Sequence, residues 1–365
     1  MRGTDRYHRQ KLLPQIGVAG QARLSAARVL LVGCGALGTV IADQLVRAGV
    51  GFLRIVDRDV VEWTNLQRQV LFDETDAQEA TPKAVAAALR LSKINSNVTI
   101  EPVPADVHSG NVEMILGHAP HATSHEPQPT DHKPQSTSHK SFDLILDGTD
   151  NVATRYLIND VSVKHRIPWV YGAAVGTEGR AMLVVPGSTP CLRCVFPEPM
   201  NPSELPTCDT AGVLATASTI VASYQSTLAI KHLVGATIDP SMLTVDVWSG
   251  RFKQVNLTDA RGHDCVCCAL KQFKFLEGSP ADTTTTLCGR DAVQVRPAGM
   301  MRVDLDPFAE RWARVGTVER NRFFVRCSID SQNLQLTLFP DGRLLISGIK
   351  DATKARSIYA QYVGA

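Results

Sequence analysis

The sequence predicts an α/β fold built on a doubly wound, mostly parallel sheet, with a small α+β domain behind it. Three observations carry that expectation: short apolar runs alternate with segments of helical spacing, a glycine-rich turn follows the first run, and a polar stretch sets off the C-terminal part. Arg28–Val32, Phe52–Val56, Val98–Val103, Asp143–Leu146, Trp169–Ala174 and Leu243–Trp248 read as strands, short and apolar as buried parallel strands are. Between the first two, Leu37, Ile41, Leu45 and Ala48 recur at helical spacing, and Gly49 and Gly51 close the segment. Pro82 precedes an alanine-rich run, Lys83 to Lys93, of good helix propensity, and another helical run extends from Val213 to His232.

Composition narrows the class. Of 365 residues, 44% are hydrophobic and 20% charged, as in an ordinary globular protein. The 38 basic and 36 acidic side chains leave a net charge of +2, which gives no electrostatic case for nucleic acid or a membrane surface as partner. The N-terminus is polar, without the apolar core of a secretory leader, and no stretch approaches the ~20 apolar residues of a membrane span. Nine cysteines, an odd number gathered in close pairs, fit metal ligands and free thiols better than a disulfide framework, so the expected location is the cytoplasm.

Two stretches interrupt the α/β pattern. Residues 117–140 are rich in proline and hold five of the ten histidines, His118, His121, His125, His132 and His139. With no apolar period, this segment is expected to be a disordered surface insertion rather than a metal site. Residues 279–288 read as a polar linker. The large domain therefore spans 1–278 and the small α+β domain 289–365. In the latter, Ala292–Val295, Phe323–Ile329 and Leu344–Ile346 read as strands, as does the alternation of Leu334, Leu336 and Leu338. Pro307 opens a helix with Phe308, Trp312 and Val315 on one face, and a last helix begins near Asp351 with Ala355, Ile358, Tyr359 and Tyr362 aligned.

The candidate ligand site follows the first strand. Gly33, Gly35 and Gly38 form a Gly-x-Gly-x-x-Gly turn between a strand and a helix, the Rossmann-like context in which phosphates approach a helix N-terminus. Nineteen positions after Gly38, Asp57 ends the second strand, where a carboxylate accepts both ribose hydroxyls. A NAD-dependent dehydrogenase would share these residues. Asn65, Arg68, Gln69 and Lys83 add donors and positive charge beyond the ribose, suited to screening three phosphates during attack at the α-phosphorus. Asp150 follows the fourth strand at its carboxyl end, and a carboxylate there can hold Mg²⁺ bridging the phosphates. Together the residues favour ATP over a nicotinamide dinucleotide.

The cysteines add a second signal. Cys191/Cys194 and Cys265/Cys268 form two Cys-x-x-Cys pairs with 70 residues between them, the pattern of a tetrahedral four-thiolate site for structural Zn²⁺ that staples the C-terminal part of the large domain. Cys267, inside the second pair, competes with Cys268 for the fourth position. Cys208 stands alone ahead of the Val213–His232 run. A thiol near a helix N-terminus can act as a nucleophile; the bland alternative is a small loop cysteine. Cys34 reads as a packing residue, and Cys288 and Cys327 show no pattern.

Taken in combination, the motifs resemble the ThiF/MoeB/HesA adenylyltransferases, relatives of the ubiquitin-activating enzymes. The resemblance rests on residues 6–10, 17–21 and 33–38, Asp57, residues 65–69, Pro82 and Lys83, residues 147–151, and the segments around Tyr171, Cys191, Cys208 and Cys265, and it covers roughly residues 5 to 270. It implies a homodimer that uses MgATP to adenylate the C-terminal glycine of a ubiquitin-like sulfur-carrier protein ending in Gly-Gly, of ThiS or MoaD type. Gly35, Asp57, Asn65, Arg68 and Lys83 would then contact ATP, Asp150 would help place Mg²⁺, and Arg9 would reach into the neighbouring subunit's site. Cys208 would occupy the position of the cysteine that forms a thioester or acyl-persulfide with the carrier. No rhodanese signature follows the core, so a separate sulfur donor, a cysteine desulfurase or a rhodanese-type protein, is expected. Three alternatives stand beside this reading: a NAD-dependent dehydrogenase, which gives no reason for Arg68, Lys83 or the cysteine pairs, activation of a peptide or tRNA substrate instead of a protein carrier, and a zinc-stapled nucleotide-binding scaffold without catalysis.

Overall fold

The computed structural model describes residues 5–118, 141–199, 208–278, 284–287, 291–296 and 303–364. By proximity the chain divides into two compact units, one of residues 1–199 with 213–277, the other of residues 200–212 with 278–365.

The first unit holds an eight-stranded sheet. In chain order the strands are β1 (Arg28–Val32), β2 (Phe52–Val56), β3 (Thr99–Val103), β4 (Leu144–Asp147), β5 (Trp169–Val175), β6 (Glu178–Val184), β7 (Ser241–Asp246) and β8 (Arg251–Asn256). Their order across the sheet is β3-β2-β1-β4-β5-β6-β7-β8. Pairings from β3 to β5 are parallel and those from β5 to β8 antiparallel. The parallel half is apolar on both faces because both are covered. Val29 and Leu31 of β1 join a core with Leu37, Ile41 and Leu45 of the helix Ala36–Ala48, Leu91 of Lys83–Ile94, and Val221 of Ala215–Leu233. Leu30 and Val32 point the other way, into a core with Tyr156, Leu157 and Val161 of the helix Val152–His165. Strand alternation thus feeds two separate cores from one run of apolar residues.

Two strands of this sheet, β6 and β8, go beyond the sequence expectation. β6 starts on polar residues and turns apolar only at Ala181–Val184, and β8 is exposed along nearly its whole length and forms no apolar run. The sixth expected strand is displaced: β7 ends at Asp246, and Trp248 lies in the β7–β8 turn, 81% exposed. Of the histidine-rich segment, residues 119–140 lie outside those described; His118 stacks on His165 with ring centroids 4.1 Å apart.

The second unit contains a six-stranded sheet of order β11-β12-β13-β14-β10-β9, with every pairing antiparallel. Its strands are β9 (Thr284–Leu287), β10 (Ala292–Val295), β11 (Thr317–Arg320), β12 (Val325–Ile329), β13 (Leu334–Leu338) and β14 (Leu344–Ser347). Thr284–Leu287 falls within the stretch expected to be linker, yet pairs with β10; the remainder of 279–288, with Cys288, lies outside the described residues. The helix Asp306–Trp312 ends before Val315, which is exposed rather than aligned with Phe308 and Trp312. Phe323 precedes β12, and β11 is a polar edge strand that no apolar pattern announces. Asp351 caps the helix Ala352–Tyr362, its carboxylate accepting from the amides of Thr353 (2.7 Å) and Lys354 (3.2 Å), and Ala355, Ile358, Tyr359 and Tyr362 are buried against the sheet.

One close approach positions everything at the carboxyl edge of the first sheet. Gly33 has φ +88°, and a Cβ there would stand 2.6 Å from the Gly148 carbonyl carbon; a Cβ at Gly38 would collide with the Gly33 carbonyl oxygen. Gly38→Ala is therefore expected to lower stability by about 1–3 kcal/mol in urea denaturation, as overpacking of a closed contact does. A variant as stable as the parent would show that the Gly33 carbonyl can move aside.

Candidate nucleotide and metal sites

Strand register assembles the candidate nucleotide site. Val32 pairs with Val56 on one side and Asp147 on the other. The next amides continue the ladder, Gly33 N–H donating to Val56 O (2.8 Å) and Gly148 N–H to Val32 O (2.8 Å). Gly33, Asp57 and Gly148 are thus level at the point where strand order reverses between β1 and β4, the crevice in which open α/β sheets bind ligands.

Asp57 is buried and both its carboxylate oxygens accept backbone amides, Oδ2 from Cys34 (2.6 Å) and Oδ1 from Asp59 (2.7 Å). Burial raises its pKa and the nearby Lys83 ammonium opposes that rise. Each oxygen keeps a further lone pair for a ligand hydroxyl. Gly35 is the cap residue of Ala36–Ala48, and nothing nearer than Gln69 Nε2, at 3.8 Å, would meet a Cβ built on it. The space over Gly35 therefore lies open beside a helix N-terminus, as an anion requires.

The cationic side of the crevice is brought in by a second pairing. Val60 bridges Pro82, Val61 N–H donates to Thr81 O (2.8 Å), and Lys83 N–H donates to Asp59 O (2.9 Å). Lys83 is buried at the head of Lys83–Ile94, its Nζ 3.3 Å from Asp59 Oδ2. Asn65 and Gln69 are also buried, and Asn65 Nδ2 and Gln69 Oε1 have no hydrogen-bond partner among the described residues. An unmet buried donor or acceptor costs about 1–3 kcal/mol, so this surface suits a polar ligand that completes both. Arg68 is half-buried, with Nη1 donating to Thr64 O (2.8 Å).

Asp150 is exposed in the loop after β4 and lies close enough to Arg58 and Arg155 to favour the charged form of both. The structure therefore brings Gly33, Gly35, Gly38, Asp57, Gln69, Lys83 and Asp150 to one edge of the sheet, with the Asn65 turn attached. It does not bring Arg9 there within the same chain: Arg9 is exposed on the short helix His8–Lys11. Cys208 opens the one-turn helix Cys208–Ala211, separated from Ala215–Leu233 by Gly212–Leu214, and its side chain lies outside the described part of the structure.

Three charged residues of the site escape a motif reading. Arg58 sits between the two acids Asp57 and Asp59 and reaches Asp106 (3.3 Å); burial opposes its charge, but Asp106, Asp59 and Asp150 outweigh that and raise its pKa. Asp59 holds Lys83, as described above. Arg155 Nε donates to Asp147 Oδ2 (3.1 Å), and Nη2 donates to Thr149 O (2.7 Å), which fixes the loop that carries Asp150. Asp147 is wholly buried; burial raises its pKa against the pull of Arg155. Arg155 could have been suspected from its place one helical turn after Asn151, on the element that follows the ligand loop.

The four paired cysteines converge. The Sγ atoms of Cys191, Cys194, Cys265 and Cys268 all lie within 4.8 Å of one another, with separations of 3.8 Å (Cys191–Cys194), 3.6 Å (Cys191–Cys265) and 3.4 Å (Cys194–Cys268). A tetrahedral ion with Zn–S bonds of about 2.3 Å needs sulfurs about 3.8 Å apart, so the donor set fits zinc. Cys267 is turned aside: its Sγ accepts from Asn159 Nδ2 at 3.2 Å, which leaves Cys268 in the cluster.

The crevice and the cysteine cluster define a nucleotide-binding α/β protein with a four-thiol staple. Residues 7–267 match the ThiF family, and the chain belongs to that family. It is 39% identical over 362 residues to the sulfur carrier protein ThiS adenylyltransferase of Bacillus subtilis (strain 168), a match spanning 99% of this chain and 100% of that protein, so the small C-terminal unit is shared with it. It is 36% identical over 271 residues to a sulfur carrier protein adenylyltransferase of Thermus thermophilus, spanning 72% of this chain and 90% of that one. With the adenylyltransferase and sulfurtransferase MOCS3 of Mus musculus it shares 38% identity, but spans only 52% of that protein's length. Among solved structures, E. coli MccB with ATP has a TM-score of 0.58 at 20% identity, over 73% of this chain and 75% of that one, a likeness of fold.

Arg155→Met would leave Asp147 buried without its partner, and a loss of about 3–5 kcal/mol is expected. Without Arg155 the folded-state pKa of Asp147 rises further above its unfolded value. The folded state then holds a proton that the unfolded chain releases, so the loss should grow as pH rises above about 4. Urea denaturation of the variant at acidic and alkaline pH checks this; an equal loss at both would show that Arg155 does not compensate Asp147.

Proposed function

We propose that this chain is an ATP-dependent nucleotidyltransferase that adenylates the C-terminal glycine of a ubiquitin-like sulfur-carrier protein of ThiS or MoaD type. The observation that carries the reading is a buried lysine beside a glycine turn, with two buried amide atoms, Asn65 Nδ2 and Gln69 Oε1, unmet among the described residues. That arrangement is poorly suited to hydrocarbon and well suited to a polyphosphate. The full-length relative from Bacillus subtilis, whose name specifies adenylation of ThiS, supports the same substrate class.

In this mechanism Asp57 takes the ribose hydroxyls and the turn through Gly33, Gly35 and Gly38 cradles the phosphates, with Asn65, Arg68, Gln69 and Lys83 around them. Asp150 would hold the Mg²⁺ that neutralises phosphate charge. A carboxylate oxygen of the carrier's terminal glycine attacks the α-phosphorus, the bond to the bridging oxygen breaks, and pyrophosphate leaves with the electron pair. Lys83 and Arg68 stabilise charge on the departing group. The acyl-adenylate primes the glycine for sulfur from a separate donor of cysteine desulfurase or rhodanese type. Arg9, exposed and distant from its own crevice, is assigned to the partner subunit's site in a homodimer. The four cysteines are assigned to structural Zn²⁺. Cys208 is assigned to a covalent thioester or acyl-persulfide step, and the protein to the cytoplasm. No helix among the described residues is long and apolar enough to cross a membrane.

ATP–pyrophosphate exchange should depend on a carrier ending in Gly-Gly, and Lys83→Met should slow it by about 10²–10³-fold. Exchange independent of carrier would overturn the substrate assignment, and ATP binding without exchange would favour the scaffold reading. Cys208→Ala should leave exchange intact and abolish carrier thiolation. Thiolation at the parent rate would remove Cys208 from the mechanism.

A further inference from the structure

The helix Val152–His165 begins two residues after Asp150 and packs against the segments that carry the cysteines. Tyr156, Asn159 and Asp160, spaced i, i+3 and i+4, share one face of it. Each is tied to a segment that carries or follows a cysteine pair. Tyr156 Oη donates to Phe196 O (3.0 Å), just after Cys194. Asp160 Oδ2 accepts from Phe275 N–H (2.9 Å), just after Cys268. Asn159 lies between them, fully buried, and touches both pairs at once. Its Oδ1 accepts from the backbone N–H of Leu192 (2.8 Å), inside the first pair, and its Nδ2 donates to Cys267 Sγ (3.2 Å), inside the second.

We propose that Asn159 is the positioning residue of the four-cysteine site: one amide that sets the two Cys-x-x-Cys turns in register and holds the fifth thiol, Cys267, out of the ligand set. The inference rests on the zinc reading above. The amide is suited to the task because it offers an acceptor and donors on a short, stiff side chain, and each end meets a different turn. No aliphatic residue makes both bonds. Cys267 is fully buried, so it cannot satisfy its sulfur in water; the Asp160 carboxyl also faces it, but without the Asn159 amide it can turn toward the position of Cys268. Groups that orient metal ligands from behind commonly change metal affinity by about 10–100-fold when removed.

The test is zinc release from the full-length protein to a chromogenic chelator, with bound zinc measured by elemental analysis. Asn159→Leu should release zinc at least ~10-fold faster than the parent. Cys267→Ala, which deletes the acceptor at one end but also the competing thiol, should still speed release through lost register, by a smaller factor. Cys267→Ser, which retains an acceptor for Asn159 Nδ2, should restore a rate near the parent's. If Asn159→Leu does not fold, the Cys267 pair decides alone. Release as slow as the parent's in Cys267→Ala, or equal rates in the Ala and Ser variants, would overturn the proposal while leaving the zinc site in place. Parent protein purified without chelators and found free of zinc would overturn the metal site itself, and this inference with it.

Discussion

The backbone contact among Gly33, Gly38 and Gly148 is the constraint on which the rest of the first unit depends. A side chain at Gly33 or Gly148 would force the β1 loop away from the β4 loop, and one at Gly38 would displace the Gly33 carbonyl within the β1 loop, because each prospective Cβ meets backbone rather than a flexible side chain. With the loops closed, the Gly33 and Gly148 amides extend the β1 ladder in both directions by one bond. The helix Ala36–Ala48 can then start immediately above the crevice, and the Cys34 amide can reach Asp57. Apolar packing on the two faces of the sheet supplies the bulk of the stability, but it would tolerate many loop geometries. The glycines select one.

A second constraint is electrostatic. The crevice gathers Asp57, Asp59, Asp106 and Asp147 with Arg58, Lys83 and Arg155, nearly all of them withdrawn from water. Charges so placed are tolerable only in pairs, and the structure pairs them across chain segments: β2 loop with β3 loop, β2 loop with the head of Lys83–Ile94, β4 end with Val152–His165. The cations are consequently oriented before a nucleotide arrives. Little rearrangement is then needed when phosphate charge replaces a carboxylate as neighbour, which is the condition for electrostatic preorganisation.

The helix Val152–His165 links two parts of the molecule that the sequence treats as unrelated. Its N-terminus follows the Asp150 loop, where Asn151 Oδ1 accepts from Thr154 N–H (3.1 Å) and caps it. Asn159, seven residues beyond Val152 and so about 10 Å along the axis, meets the cysteine turns. The four-cysteine cluster therefore stands behind the Asp150 loop on a rigid element. Its role in the fold is to hold the ends of the antiparallel half of the first unit against that helix.

Much of the first unit was legible in the amino-acid order alone. Local chemistry decides a strand such as Arg28–Val32, a turn that only glycine can make at Gly33, a helix that stops at Gly49 in the left-handed region, and paired cysteines at a spacing that one ion can join. These features depend on neighbours within a few positions, or on a motif whose chemistry admits few uses. What tertiary structure decided is everything that depends on a distant surface. β8 and β11 lack an apolar run, β6 opens on polar residues ahead of Ala181–Val184, and each exists because an adjacent strand offers its edge; Thr284–Leu287 pairs with β10 for the same reason. Arg58, Asp59 and Arg155 look like ordinary charges until the fold buries them beside partners 48, 24 and 8 positions away. The choice between Cys267 and Cys268 belongs to Asn159, more than a hundred residues earlier, because a hydrogen bond reads distance in space and not separation along the chain.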